Sequence, residues 1–243
     1  MTSYTQLRGA FSRIAEEELV EAPDDLPGGA ATGSLLHEAL ERVDLPSARD
    51  AKSLADWTEL PAVRDLFDAL ARHHDLDRAH LACAKRVVHT ALTTQVRLGD
   101  AWLRSGVASS ARTLRELEFV YPVAQMRGFV RGYIDVLLEH EGRAYVVDWK
   151  SDRLPSYDGA TMRRHVEQHY LAQLHLYCLA AVRIVGVKSE PDYDRAIGGF
   201  AYLFVRGMRA DDATVGTDFR RPTWSELVSW EAAVVRGEGR GRP

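Results

Sequence analysis

Gly128-Phe-Val-Arg-Gly-Tyr-Ile-Asp135-Val-Leu-Leu-Glu-His-Glu141-Gly142-Arg143-Ala-Tyr-Val-Val-Asp148-Trp-Lys150 is the stretch on which the fold turns. Residues 129–138 and 143–149 are rich in Val, Ile, Tyr, Phe and Trp, which suit a pleated, half-buried surface. Between them, Glu139-His-Glu-Gly-Arg143 holds a glycine fit for a tight turn. The economical reading is a β-hairpin. With Glu141-Gly142 as a two-residue loop, position 140 faces 143, 138 faces 145 and 135 faces 148. A four-residue loop about the same centre keeps that register, whereas a three-residue loop turns Asp135 to the other face. In the first register Asp135 and Asp148 are cross-strand partners with Cβ atoms roughly 4.5–5.5 Å apart, where like charges destabilise unless something neutralises them. Lys150 lies two residues beyond Asp148 and shares its face. Ile134, Val136, Val147 and Trp149 then line the opposite face, while Leu137 and Val146 continue the acid-bearing one. Both faces are covered, and the charges stand at the edge of a cleft.

Two carboxylates and one ammonium fit a divalent cation. Carboxylate oxygens hold Mg2+ or Mn2+, the cation polarises a phosphoryl oxygen and generates hydroxide, and a lysine orients water or stabilises developing charge. Phosphodiester hydrolysis is the chemistry that wants this set. The same three residues also suit a solvated hairpin end with a salt bridge, and spacing alone leaves both readings open.

Asp135 followed by Asp148-Trp-Lys150 resembles the signature of the PD-(D/E)XK nucleases. A longer ordered set resembles the C-terminal nuclease domain of the RecB family, the beta subunit of exodeoxyribonuclease V: Gly33-Ser-Leu-Leu-His37-Glu-Ala-Leu-Glu41, Leu117-Glu-Phe-Val-Tyr-Pro122, Arg127-Gly-Phe-Val-Arg-Gly-Tyr-Ile-Asp135, Val147-Asp-Trp-Lys-Ser151, Gln173-Leu-His-Leu-Tyr177 and Gly199-Phe-Ala-Tyr-Leu-Phe-Val-Arg-Gly207. The similarity runs from Thr2-Ser-Tyr to Arg221-Pro222.

The resemblance implies an α/β fold of the restriction-endonuclease type, a mixed central sheet flanked by helices with an N-terminal helical portion packed against it. It implies hydrolysis of linear DNA, exo- and endonucleolytic, on single strands or unwound duplex, in double-strand-break repair and recombination. The implied partners are an attached ATP-dependent helicase domain and the other exodeoxyribonuclease V subunits. The implied metal is Mg2+, with Mn2+ as a substitute, held by His37, Asp135, Asp148 and the backbone carbonyl of Trp149. Lys150 positions the attacking water. Glu116 corresponds best to a glutamate near the metal, although Glu118 has the same strand parity. Gln173 and Tyr177, spaced i, i+4 on a helix from about Gly159 to Val185, share one face. In the family that pair contacts DNA or supports the lysine; an ordinary buried pair is the other reading. His37 taken alone reads as a half-buried helix histidine, and Arg206 is left between a phosphate contact and a structural role. Two competing functions remain, a catalytically silent nuclease-fold module for DNA binding or complex assembly, and a nuclease acting on RNA.

Composition constrains less. The 243 residues, 46% of them hydrophobic, suffice for a sizeable core. There is no 18-residue apolar run and no signal-peptide pattern, so a soluble cytoplasmic protein without a membrane partner is expected. Cys83 and Cys178 are expected to stay thiols, and two cysteines cannot supply the four that bind an iron–sulfur cluster in some relatives. No cluster is expected. The net charge of −4 runs against nucleic acid, whose affinity comes largely from Lys and Arg meeting phosphates. Several arginines nevertheless flank the motifs: Arg127, Arg131, Arg143, Arg153, Arg163, Arg164 and Arg206. They read either as a basic rim or as solvated faces. No Gly-x-x-x-x-Gly-Lys-Ser/Thr occurs, so no ATP site of that type is expected, and the chain reads as an excised domain or a stand-alone nuclease.

Along the chain, residues 4–20 have a helical pattern, Pro23 to Gly33 read as a loop, and Ser34 as the cap of the helix carrying His37. Helices are expected near 47–55, 59–74 and 77–104, strands near 113–121, 128–139, 143–150 and 197–205, and a closing helix near 223–236. The division is one nuclease domain over 1–236, mainly helical over 1–110 and sheet-bearing over 111–236, with a disordered tail at 237–243.

Overall fold

The computed structural model describes residues 2–3, 26–123 and 128–236. A two-residue strand β1 (Thr2–Ser3) comes first, and from residue 26 the chain builds helices α1 (Ala30–Arg42), α2 (Leu45–Asp50), α3 (Leu54–Thr58), α4 (Pro61–His73) and α5 (Leu81–Thr93). A small hairpin, β2 (Val96–Leu98) and β3 (Ala101–Leu103), leads to β4 (Arg112–Val123), β5 (Gly128–His140) and β6 (Arg143–Lys150). Helices α6 (Gly159–His169), α7 (Leu171–Val185) and α8 (Glu190–Ala196) lie between β6 and β7 (Ile197–Phe204), and β8 (Thr217–Arg220) and α9 (Trp224–Arg236) close the chain.

The sheet is mixed. One edge of β5 pairs antiparallel with β4; the other pairs antiparallel with β6 over its C-terminal half and parallel with β1 at Val130 and Arg131. Next to β6 runs β7, parallel, and then β8, antiparallel. A parallel neighbour requires a crossover, which α6, α7 and α8 supply. Helices α1–α5 bury their apolar sides on one face of the sheet, with Val136, Leu138, Val147, Trp149 and Leu203; α6, α7 and α9 cover the other, with Ile134, Leu137, Val146, Tyr202 and Phe204. The result is the expected α/β sheet between two helical layers. No single described helix is long and apolar enough to cross a membrane.

The β5–β6 hairpin has the two-residue loop. Glu141 (φ 50°) and Gly142 (φ 75°) both take positive φ, as a type I′ turn demands, and His140 faces Arg143, Leu138 faces Tyr145 and Val136 faces Val147. Asp135 and Asp148 are the next pair in register, but the ladder stops short of them. There the Asp135 side chain accepts the Trp149 N–H at 2.7 Å. On the opposite edge the β4–β5 ladder also skips one step, between Arg115–Val136 and Leu117–Ile134, and Glu116 in the gap holds φ 50°. A left-handed residue rotates the strand, so the alternation of side chains slips at this level. Ile134 therefore packs with Leu137 and Val146, a correction to the expectation that it shares the face of Val136. The kink is what brings Glu116 and Asp135 to the place where β5 and β6 part.

Other expectations need correction. The helix near 77–104 ends at Thr93, because Thr94 turns extended (φ −67°, ψ 138°) and Gly99-Asp100 closes the β2–β3 hairpin with Gly99 at φ 67°. The helix from Gly159 to Val185 breaks at Tyr170 (φ −123°, ψ 2°). The segment near 47–55 forms two short helices, capped by Asp44 and Ser53 through bonds from the Ser47 and Asp56 N–H groups at 2.8 and 3.1 Å. Ser34 is not a cap; α1 begins four residues earlier at Ala30, after Gly29. Two alanines favour the earlier start, and Arg206 fixes the entry by donating to the carbonyls of Leu26, Pro27 and Ser151. The short α8 and β8 carry no counterpart in the sequence reading. The patterns read at 4–20 and 237–243 lie outside the described residues.

Candidate active site

At the end of β6, Asp148 and Lys150 point to the α7 face of the sheet and are 4% and 8% exposed. Gln173, on α7, donates its Nε2 to Asp148 Oδ1 at 3.0 Å and accepts from Lys150 Nζ at 2.8 Å. Lys150 Nζ stands 2.5 Å from Asp148 Oδ2, so the lysine and Gln173 between them hold both carboxylate oxygens. The ammonium also sits over the ring of Tyr170, 4.1 Å from its centroid, and 5.1 Å from that of Tyr202, which stacks behind it. The break between α6 and α7 falls at Tyr170, and its hydroxyl donates to Asp152 Oδ1 at 2.6 Å. His165 approaches the same oxygen at 3.2 Å. Burial pushes the Asp152 carboxyl up, but the bonds from His165 and Tyr170 outweigh it and hold the group at about 2. Asp152 is therefore a permanent anion anchoring the phenol beneath the lysine.

Asp135 faces this group across the parting strands. Its carboxyl is raised well above the usual range by burial and by the charge of Asp148, against the pull of Lys150 and the Trp149 N–H. His37, in the middle of α1 with its side chain 38% exposed, brings Nδ1 to 3.8 Å from Asp135 Oδ2. Gly33, one turn earlier, lets α1 approach closely: a Cβ there would lie 2.9 Å from Ser151 Oγ, just past Lys150. Glu116 is raised to about 7, by burial first and then by the charges of Glu41 and Asp148. Glu118 instead pairs with Arg131 at 2.6 Å on the outer side, so of the two glutamates Glu116 is the one in the site.

Several acids thus crowd around one lysine. One ammonium does not neutralise them all, and clustered desolvated carboxylates are costly without a further cation. The residues present fit a hard divalent ion, with carboxylate oxygens from Asp135 and Asp148 and an imidazole at the rim. Trp149 has only its backbone at this place, since its indole is buried in the α1–α5 core. Tyr177 lies one turn beyond Gln173, with its ring edge-on to Phe119 at 5.4 Å in the core behind the site. Arg206 is occupied by backbone carbonyls, which makes it a structural arginine, and Arg127 lies outside the described residues.

Tyr170, Tyr202, Asp152 and Glu41 were not singled out from sequence. Two of them carried a signal: Glu41 follows His37 by one helical turn, and Asp152 shares the parity of Asp148 and Lys150. The two tyrosines read as ordinary core aromatics.

Residues 10–237 match the PD-(D/E)XK nuclease superfamily. The RecBCD enzyme subunit RecB of Escherichia coli K12 is 27% identical over 237 residues, covering 85% of this chain and 19% of the relative. RecB of Haemophilus influenzae is 28% identical over 232 residues, covering 84% and 18%. An ATP-dependent helicase/nuclease from Carboxydothermus hydrogenoformans is 27% identical over 206 residues, covering 79% and 16%. The chain spans less than a fifth of the length of each. With the match extending through both helical layers as well as the strands that bear Asp135, Asp148 and Lys150, the chain belongs to the PD-(D/E)XK nuclease superfamily.

Proposed function

We propose that this chain is a metal-dependent deoxyribonuclease that hydrolyses phosphodiester bonds of linear DNA. The observation that carries the reading is the excess of acid at one place: Asp148, buried and held by Gln173 and Lys150, stands near Asp135 and Glu116, whose carboxyls are raised by burial and by neighbouring negative charge. Asp135, Asp148, His37 and the Trp149 carbonyl would hold a divalent cation, Mg2+ or Mn2+, which when bound would polarise a phosphoryl oxygen and acidify a water. The chain's own residues do the positioning. Gln173 fixes the plane of the Asp148 carboxylate and one direction of the Lys150 ammonium, and the Tyr170 ring fixes another. Lys150 is thereby held where it can orient the attacking water and meet the charge that develops on the phosphate. Glu116 adds a carboxyl to the metal side, and Tyr177 braces α7 against β4 through Phe119.

The substrate and setting are carried over from the resemblance to the RecB nuclease domain: single strands or unwound duplex, cut exo- and endonucleolytically in double-strand-break repair and recombination, in the cytoplasm. In this reading an ATP-driven helicase delivers the strand, which accords with a chain of net charge −4 that does not depend on strong intrinsic affinity for DNA. Mg2+-dependent degradation of linear single-stranded DNA by the purified chain, beside Asp148→Asn and Lys150→Ala, tests it. The parent should cut, and each variant should lose about a hundredfold or more, the range for removing a group that meets transition-state charge. A parent that neither cuts nor binds Mg2+ or Mn2+ in an Asp148-dependent way is a silent module, and the reading fails. Matched RNA strands in the same assay decide the nucleic acid.

A further inference from the structure

We propose that Glu38, His73 and His74 form a second metal site, one that takes a borderline transition ion of the Zn2+ class and ties α1 to α4. Their ligand atoms all lie within 4.8 Å of one another. Glu38 follows His37 in α1, but the two diverge: His37 approaches Asp135, while Glu38 Oε2 meets His74 Nε2 at 2.8 Å. The carboxylate is already oriented, because Arg42, one turn on, binds Oε1 at 2.6 Å and leaves Oε2 turned to the histidines.

Adjacent residues of a regular helix project about 100° apart and do not share a ligand, so the pairing of His73 with His74 needs a cause. It lies in the end of α4. His73 is the last helical residue, His74 the cap (φ −101°, ψ 8°), and Asp75 is left-handed (φ 53°). The chain unwinds there, and the two imidazole rings meet edge to face with centroids 4.7 Å apart. Ligand atoms of a tetrahedral zinc stand about 3.3 Å from each other when the bonds are about 2.0 Å. The His74–Glu38 spacing of 2.8 Å is about half an ångström below that value, and His73, which is exposed and has its ligand atom within 4.8 Å of the others, would close the set by a rotation of its side chain. The ion would replace the His74–Glu38 hydrogen bond, taking the Nε2 lone pair of the neutral imidazole in its Nδ1–H tautomer. Two imidazoles and one carboxylate prefer Zn2+, Ni2+ or Cu2+ to Mg2+, so this site and the oxygen-rich centre at Asp148 differ in the metal they select. Waters complete the coordination.

Zn2+ titration by calorimetry of the full chain in Mg2+ is the test, with Asp148→Asn as the background that weakens the nuclease centre. One Zn2+ equivalent should persist in that background. It should weaken by about tenfold or more in His73→Ala or His74→Ala, since a protein ligand is lost, and also in Glu38→Gln, where circular dichroism confirms the fold. Zn2+ should also raise the melting temperature of the Asp148→Asn protein and not of the same protein carrying His73→Ala and His74→Ala. Zn2+ binding that is unchanged in the folded histidine variants, or no Zn2+ equivalent in the Asp148→Asn background, overturns the proposal. Neither result depends on nuclease activity.

Discussion

Asp135 and Asp148 are the same kind of acid in opposite electrostatic circumstances. Asp148 is compensated by Lys150 and Gln173, so Asp148→Ala leaves a buried ammonium without its counter-charge. In metal-free protein that should cost about 3–5 kcal/mol, the range for breaking one side of a buried pair. Asp135 is in conflict with its surroundings, burial first and Asp148 second. Asp135→Asn removes the conflict while its amide oxygen still accepts the Trp149 N–H, so this variant should be stabler than the parent by about 1 kcal/mol and inactive. Thermal unfolding in a chelator measures both, and a destabilised Asp135→Asn would show that the acids do not repel in the absence of metal. Tyr170 separates two contributions. Tyr170→Phe keeps the ring under Lys150 and loses the hydroxyl with its bond to Asp152; Tyr170→Leu loses both, and its kcat should fall roughly ten- to thirtyfold with little change in KM, the worth of a desolvated cation–π contact of about 2 kcal/mol. Equal losses in the two variants would assign the effect to the hydroxyl. Asp135, Asp148 and Lys150 were legible because a period of two and a two-residue loop place them without tertiary information. Tyr170 was not, since nothing local distinguishes a ring that packs on apolar neighbours from one that a helix break turns beneath an ammonium.

Among the elements, α1 and α7 decide whether the site assembles. Helix α1 must come close enough for His37 to reach Asp135, and Gly33 is where it does so. Gly33→Val places a branched side chain where even a Cβ meets Ser151 Oγ at 2.9 Å, so α1 has to shift outward. Metal-dependent cutting should drop more steeply than stability, and a circular-dichroism melt beside the Mg2+ dependence of rate separates the two; a variant with parental metal dependence would remove Gly33 from the argument. Helix α7 packs on α9 through His175, whose ring lies 3.7 Å from that of Trp230. Burial depresses His175 to about 4, so the folded protein holds it neutral while the unfolded chain takes a proton below about 6.5. Stability from this group is complete above about pH 6.5 and is lost as pH falls towards 4. His175→Phe keeps the stack and removes the titration, so between about pH 7 and 4.5 the parent should lose about 2 kcal/mol more than the variant in urea unfolding, a figure reduced for partial exposure. A parallel loss in both would place the acid sensitivity elsewhere. The β5–β6 hairpin was legible as an element, from Val, Ile and Tyr on either side of Glu141-Gly142. The kink at Glu116 was not: a glutamate carries no local preference for positive φ, and only the surrounding sheet imposes it.

At the scale of the molecule, both cores hang on the same strands. Val146 and Val147 are neighbours in β6, yet the first packs under α6 and α7 and the second under α1–α5; Val136 with Leu137, and Leu203 with Phe204, repeat the arrangement. The sequence order of helices before sheet was legible from the change of hydrophobic period, but which helices cover which face was not, because that depends on crossovers and on long-range ties such as Arg206 to Leu26 and Pro27. The consequence concerns cooperativity. Melting the α1–α5 layer alone would expose Val136, Val147, Trp149 and Leu203 on strands whose other side remains packed, and would release the Arg206 guanidinium from the Leu26 and Pro27 carbonyls. Neither layer then has an independent folded state, although the chain reads as helical in its first half and sheet-bearing in its second. Scanning calorimetry of residues 1–236 should therefore give one transition with equal calorimetric and van't Hoff enthalpies. Arg206→Met should lower its midpoint without splitting it, as expected for loss of hydrogen bonds that join the two halves. Two resolved transitions in the parent would mean that the N-terminal helices form a separate cooperative unit, and that the positioning of His37 against Asp135 can be lost while the hairpin that bears the acids stays folded.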